Sequence, residues 1–153
     1  MAALSRMILK RDANIISNFT AEDLDKLQAE GNCYFRFQCV DWAPRRNSYG
    51  MIYANATEAR KDGSTVLPGK SCCKSWRDLY DYIDSFGDGT DFAVLVFGGK
   101  HVGYGHDGED VVTPDRFIAA FDARRFMDIL NKEYEKSQAE GYSCFAYYLE
   151  GHR

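Results

Sequence analysis

The stretch Phe92-Ala93-Val94-Leu95-Val96-Phe97-Gly98-Gly99 decides the fold. Its apolar run is short, partly β-branched and bounded by glycines, which marks a central β-strand and not a helix. Asp88-Gly89-Thr90-Asp91 turns the chain into it, and Gly98-Gly99 predicts a hairpin into a further strand, His101-Val102-Gly103-Tyr104.

Upstream, Ser75 stands where an N-cap belongs, ahead of a helix to about Phe86. Trp76, Leu79, Tyr80, Ile83 and Phe86 make its apolar stripe, and Gly87 ends it. An earlier helix starts at Thr20, with Phe19 and Leu24 at the staple positions and Gly31 as its stop. It is short and polar, so a surface position is expected. Between them, residues 33–40 alternate. Cys33, Phe35, Phe37 and Cys39 face a core, while Tyr34, Arg36, Gln38 and Val40 face away. Gly50 to Ala54 and Thr65 to Leu67 read as short strands.

Downstream, Gly105 to Asp110 reads as a polar loop, and Val111-Val112 and Phe117 to Phe121 as separate strands. Asp122 caps a long helix to about Glu140, with Phe121 and Phe126 as its staple and Gly141 as its stop. Phe126, Met127, Leu130 and Tyr134 form its buried stripe. Ser143 to Leu149 closes the chain as a strand, and Met1 to Leu9 reads as an arm or edge strand. The result is one α+β domain over residues 1–153: a mostly antiparallel sheet with two or three packed helices.

The bulk composition agrees. The chain has 153 residues, 45% hydrophobic and 27% charged, which is globular and sized for one core. A net charge of -4 argues against direct nucleic-acid binding through a basic face. No apolar run approaches the roughly 20 residues of a membrane span. Five cysteines, an odd count with no signal peptide ahead of them, point to a reducing, cytoplasmic setting.

Three short patterns fail as sites. Gly69-Lys70-Ser71 resembles the tail of a phosphate-binding loop, but the first glycine's position holds Ser64. His101, His106, Asp107, Glu109 and Asp110 crowd one stretch without the spacing of a helical pair or a calcium loop, so no metal site is expected. Cys72-Cys73 reads as core packing, with no Cys-x-x-Cys nearby.

Arg36 in the first strong strand, Ser71 before a strand-to-helix transition and Glu109 in Asp107-Gly108-Glu109-Asp110-Val111-Val112-Thr113-Pro114 form an ordered trio. That order along a small α+β chain resembles the ADP-ribosyltransferase family. The resemblance implies NAD as cofactor, with Arg36 on its phosphates, Ser71 supporting the nicotinamide side and Glu109 on the nicotinamide ribose. An anion clamp, an orienting hydroxyl and a carboxylate beside developing positive charge suit that chemistry. The sequence departs from the family pattern at Ser71-Cys72-Cys73, where Ser-Thr-Ser is usual. Asp107 stands where a Glu or Gln is common.

The leading expectation is nevertheless a small cytosolic binding protein that needs no cofactor and acts by protein–protein contact. The chain holds ten Tyr and ten Phe, and tyrosine is a favoured interface anchor. Asp81, Asp84, Asp88, Asp91, Asp107, Glu109 and Asp110 suit the basic groove of a protein partner, including one that normally holds nucleic acid. A small inhibitor from a phage or mobile element, acting on a host defence protein, has this general profile. The NAD-dependent mono-ADP-ribosyltransferase-like enzyme is the alternative.

Overall fold

In a computed structural model, residues 15–39, 57–59, 66–86, 92–105 and 108–141 are described. The expected strands at 50–54 and 143–149 and the arm at 1–9 lie outside them. The elements run β1 (Ile15–Ile16), α1 (Ala21–Ala29), β2 (Tyr34–Cys39), β3 (Thr57–Ala59), β4 (Val66–Pro68), β5 (Lys70–Cys72), a 3₁₀ helix (Trp76–Phe86), β6 (Phe92–Tyr104), β7 (Asp110–Asp122) and α2 (Ala123–Ala139). The fold is α+β. Its five-stranded sheet is mixed: β2, β5, β6 and β7 pair antiparallel, while β1 runs parallel to β7. A separate antiparallel pair joins β3 and β4.

The run 92–97 is the central strand, with β2 on one side and β7 on the other. The hairpin expected at Gly98-Gly99 does not form there. β6 continues to Tyr104, and the reversal comes between Gly105 and Glu109, where Gly105 N–H donates to the Glu109 carbonyl at 2.8 Å. The glycines mark a bulge instead. The register with β7 shifts at Gly98/Gly99, and a Cβ on Gly99 would run into the Thr113 backbone. Pro114 opposite Gly99 gives β7 no donor there, which the irregular pairing tolerates. Val111-Val112 and Phe117 to Phe121 are accordingly one long strand.

The strands close on themselves. β6 pairs β7, β7 pairs β5, and Cys73, just after β5, exchanges two backbone hydrogen bonds with Phe35 on the free edge of β2, at 2.8 and 3.0 Å. β2 therefore has both edges engaged.

One sheet face packs on the helices through Cys33, Phe35, Phe37, Val94 and Val96, against Leu24, Trp76, Leu79, Phe126 and Leu130. Phe126 makes edge contacts with Phe37 and Trp76, both at 5.9 Å. The opposite face of β2 is not solvated as the alternation suggested. Tyr34 and Gln38 are buried and Arg36 is partly buried. On that face Arg36 reaches across to the Ser71 carbonyl of β5.

Helix ends follow local chemistry. Thr20 and Asp23 form a reciprocal capping box on α1. Asp122 accepts from Arg125 N–H on α2 at 2.9 Å. Gly31 and Gly141 take the positive φ that ends each helix. Ser75 does not cap. Gln28 of α1 accepts from Trp76 N–H instead, at 2.9 Å, and the Ser75 hydroxyl is left buried without a hydrogen-bond partner. Tyr134 is 37% exposed rather than buried, and stacks on Tyr80 at 5.3 Å.

Arg77 locks the three helices. It lies 4.2 Å above the Trp76 ring and pairs with Asp25 of α1 at 2.7 Å and Glu133 of α2 at 3.2 Å. Burial lowers the pKa of this guanidinium, but the bonds to Asp25 and the charge of Glu133 outweigh it and hold the cation.

Candidate functional site

Arg36, Ser71 and Glu109 lie far apart in the sequence and line one cleft, together with Phe37, Cys72, Cys73, Leu79 and Tyr82. Strand pairing explains the convergence. Ser71 stands opposite Val111 and Cys72 opposite Asp110, so β5 lies beside the start of β7, which Glu109 immediately precedes. The Phe35–Cys73 bridge then sets β2, and with it Arg36, against the other side of β5.

Arg36 is held by its surroundings. Nη1 donates to the Ser71 carbonyl at 2.8 Å and Nε to Gln38 Oε1 at 3.0 Å. A guanidinium carries five N–H donors, so two such bonds fix its plane without exhausting it. Glu109 is partly buried, and its carboxylate passes so close to Gly105 that a Cβ there would run into it. The turn glycine makes room for the acid.

The cysteines are packing residues. Burial, first of all, pushes the Cys72 thiol far up, with the neighbouring Cys73 and Asp110 adding to it. Burial likewise raises Cys73, to about 12, reinforced by Asp78 and Asp110. Neither is a thiolate nucleophile near neutral pH. The cleft holds about 70 Å³. That is room for about two waters, and well below the roughly 300 Å³ of a site that swallows a whole ligand. The cleft opens outward.

A second cleft, of about 510 Å³, lies on the other side of the Phe35–Cys73 bridge, lined by residues that include Tyr34, Lys74, Ser75, Asp78 and Asp110. Asp110 Oδ1 meets His101 Nε2 at 2.9 Å, and the His101 ring stands edge-on to Tyr104 at 5.0 Å. Burial and then the Asp110 charge raise the Tyr34 phenol above its ordinary pKa.

Of the acidic residues named from the sequence, only Asp81, Glu109 and Asp110 have described side chains. Asp81 is exposed on the 3₁₀ helix. Glu109 and Asp110 are drawn into separate clefts. Asp88, Asp91 and Asp107 lie outside the described residues, and of Asp84 only the backbone is described. Sequence reasoning missed Leu79 and Tyr82 as cleft residues and Tyr34, Lys74 and Asp78 as a second group. Only the closing bridge assembles them, and it leaves no local signal. Among the described residues no group of three or more His, Cys, Asp and Glu is placed to hold a metal ion. No helix among them is long and apolar enough to cross a membrane. No protein-family model, no curated protein and no solved structure matches the chain.

Proposed function

We propose that the chain is an NAD-dependent mono-ADP-ribosyltransferase-like enzyme whose centre is the Arg36–Ser71–Glu109 cleft. One observation carries this reading: three residues marked by their order in the sequence meet in one pocket. The donor set suits NAD, with a cation for phosphate, a carboxylate for the ribose and the Tyr82 and Phe37 rings for a flat heterocycle. When bound, NAD supplies the ADP-ribosyl group and the nicotinamide leaving group. Arg36, its plane fixed by Ser71 and Gln38, orients the phosphates without having to order itself first. Glu109 stabilises positive charge that grows on the ribose as nicotinamide departs. Leu79 and Phe37 keep water from the enclosed end. The test is NAD binding by calorimetry: wild type binds, and Arg36→Met weakens binding at least tenfold. Equal affinity would remove Arg36 from the site.

A second reading rests on the stacked pair Tyr80–Tyr134, with Asp81 exposed beside it and Tyr104 58% exposed elsewhere. Exposed tyrosines next to a carboxylate suit contact with a basic protein surface. It predicts salt-sensitive binding to a protein partner without turnover. Neutralising Asp81, Asp84 and Asp88 together weakens such binding, and unchanged affinity would count against this face.

A further inference from the structure

We infer that the 3₁₀ helix Trp76–Phe86 is a two-state gate on the Arg36 cleft: in the 3₁₀ form Tyr82 walls the cleft beside Leu79, and conversion to an α-helix turns Tyr82 out and widens it. The inference concerns the cleft and not its ligand, so it holds or fails apart from the transferase reading.

The length of the helix is the first sign. It runs for 11 residues. Runs of 3₁₀ helix beyond about three or four residues are uncommon, because their hydrogen bonds are poorly aligned. A run of this length needs side-chain packing to hold it.

Two helical periods share the same residues. Trp76, Leu79 and Tyr82 recur at every third position, which places them on one face at about three residues per turn. That face is turned inward. Trp76 and Leu79 are buried, Tyr82 is partly buried, and Leu79 and Tyr82 line the cleft, while Asp81 is exposed. Trp76, Leu79, Tyr80, Ile83 and Phe86 also carry α-helical spacing. Tyr82 belongs to the first set and not to the second. At about 100° per residue in place of about 120°, it turns by roughly 120° relative to Trp76.

The first turn stays fixed in either form. Gln28 accepts from Trp76 N–H and Asp25 from Trp76 Nε1, both at 2.9 Å, and Arg77 pairs with Asp25 and Glu133. The rotation therefore accumulates along the helix toward Tyr82. Tyr80, on the way, turns by roughly 80° and leaves its stack on Tyr134. With Tyr82 inside, the cleft holds about 70 Å³. A molecule that enters displaces the ring and so favours the α form, which leaves it more room.

The test is NMR on the full chain without ligand. Relaxation dispersion is expected to show exchange at the amides from Leu79 to Phe86 and, at the same rate, at the Arg36 Nε–H, with Trp76 and Arg77 quiet. Tyr82→Ala removes the side chain that holds the 3₁₀ form. In it, Hα–HN contacts between residues four apart are expected to replace those between residues two apart. Asp81→Ala, at an exposed position outside the cleft, raises the α population about threefold, since alanine is the better α-helix former. Flat dispersion in wild type, or exchange that Arg36 does not share, overturns the gate. So does Tyr82→Ala that keeps the 3₁₀ contacts. Should Tyr82→Ala unfold the chain, Asp81→Ala decides: an unchanged α population refutes the gate.

Discussion

Arg36 Nη1 donates to the Ser71 carbonyl at 2.8 Å, tying β2 to β5 across the line where the sheet closes. The same side chain holds Gln38 through Nε, so a residue read as an anion clamp also fastens the fold. Arg36→Met keeps most of the stem and removes both bonds. It is expected to lower stability by about 1–3 kcal/mol, the usual cost of losing charge-assisted bonds to partly buried groups. Urea unfolding measures it. A loss under about 0.5 kcal/mol would mean that the Phe35–Cys73 backbone bonds, and not the Arg36 side chain, join β2 to the β5 segment.

Gly105 makes room for the Glu109 carboxylate. In Gly105→Ala the new methyl pushes that flexible side chain aside, with little backbone consequence. Stability is expected to change by less than about 1 kcal/mol, while NAD turnover falls about tenfold or more because the acid is misplaced. Full turnover in this variant would show that the position of Glu109 does not matter.

Cys72 and Cys73 are held as neutral thiols by burial, and Tyr34 as a neutral phenol for the same first reason. Above pH 9 the unfolded thiols lose protons that the folded ones keep. The native state then binds more protons, and stability falls as pH rises. Below about pH 8 these groups contribute no pH dependence. Between pH 9 and about 12 the Cys73 contribution declines by up to about 1.4 kcal/mol per pH unit. Denaturation from pH 7 to 10.5, with Cys73→Ala beside wild type, isolates it: the variant has the shallower slope. Parallel slopes would mean that the thiol is not buried as described.

Much of the fold was legible because its signals are local. The Thr20 cap, the Asp122 cap, the glycine stops at Gly31 and Gly141 and the apolar run at 92–97 each rest on neighbours within a few residues. Where partners are distant, the reading failed. Gly98-Gly99 reads as a turn until Thr113 and Pro114 lie against it. Lys70–Cys72 is too short to announce a strand, and Ser75 reads as a cap until Gln28 takes that role from another helix. The residue types of the trio were visible in the chain. Their meeting depends on the Phe35–Cys73 bridge, which joins positions with no mark in the sequence.

Nicotinamide release is the most direct test, run on the pure full chain with NAD, wild type beside Glu109→Gln. The substitution keeps the size and shape of the side chain, removes the charge and turns one acceptor oxygen into an N–H donor, and a dispersed native spectrum is checked beside the activity. Wild type is expected to release nicotinamide, and Glu109→Gln to lose about a hundredfold or more in rate, the scale of removing one electrostatic stabiliser. Wild type that neither binds NAD nor releases nicotinamide, or release undiminished in Glu109→Gln, would contradict the account.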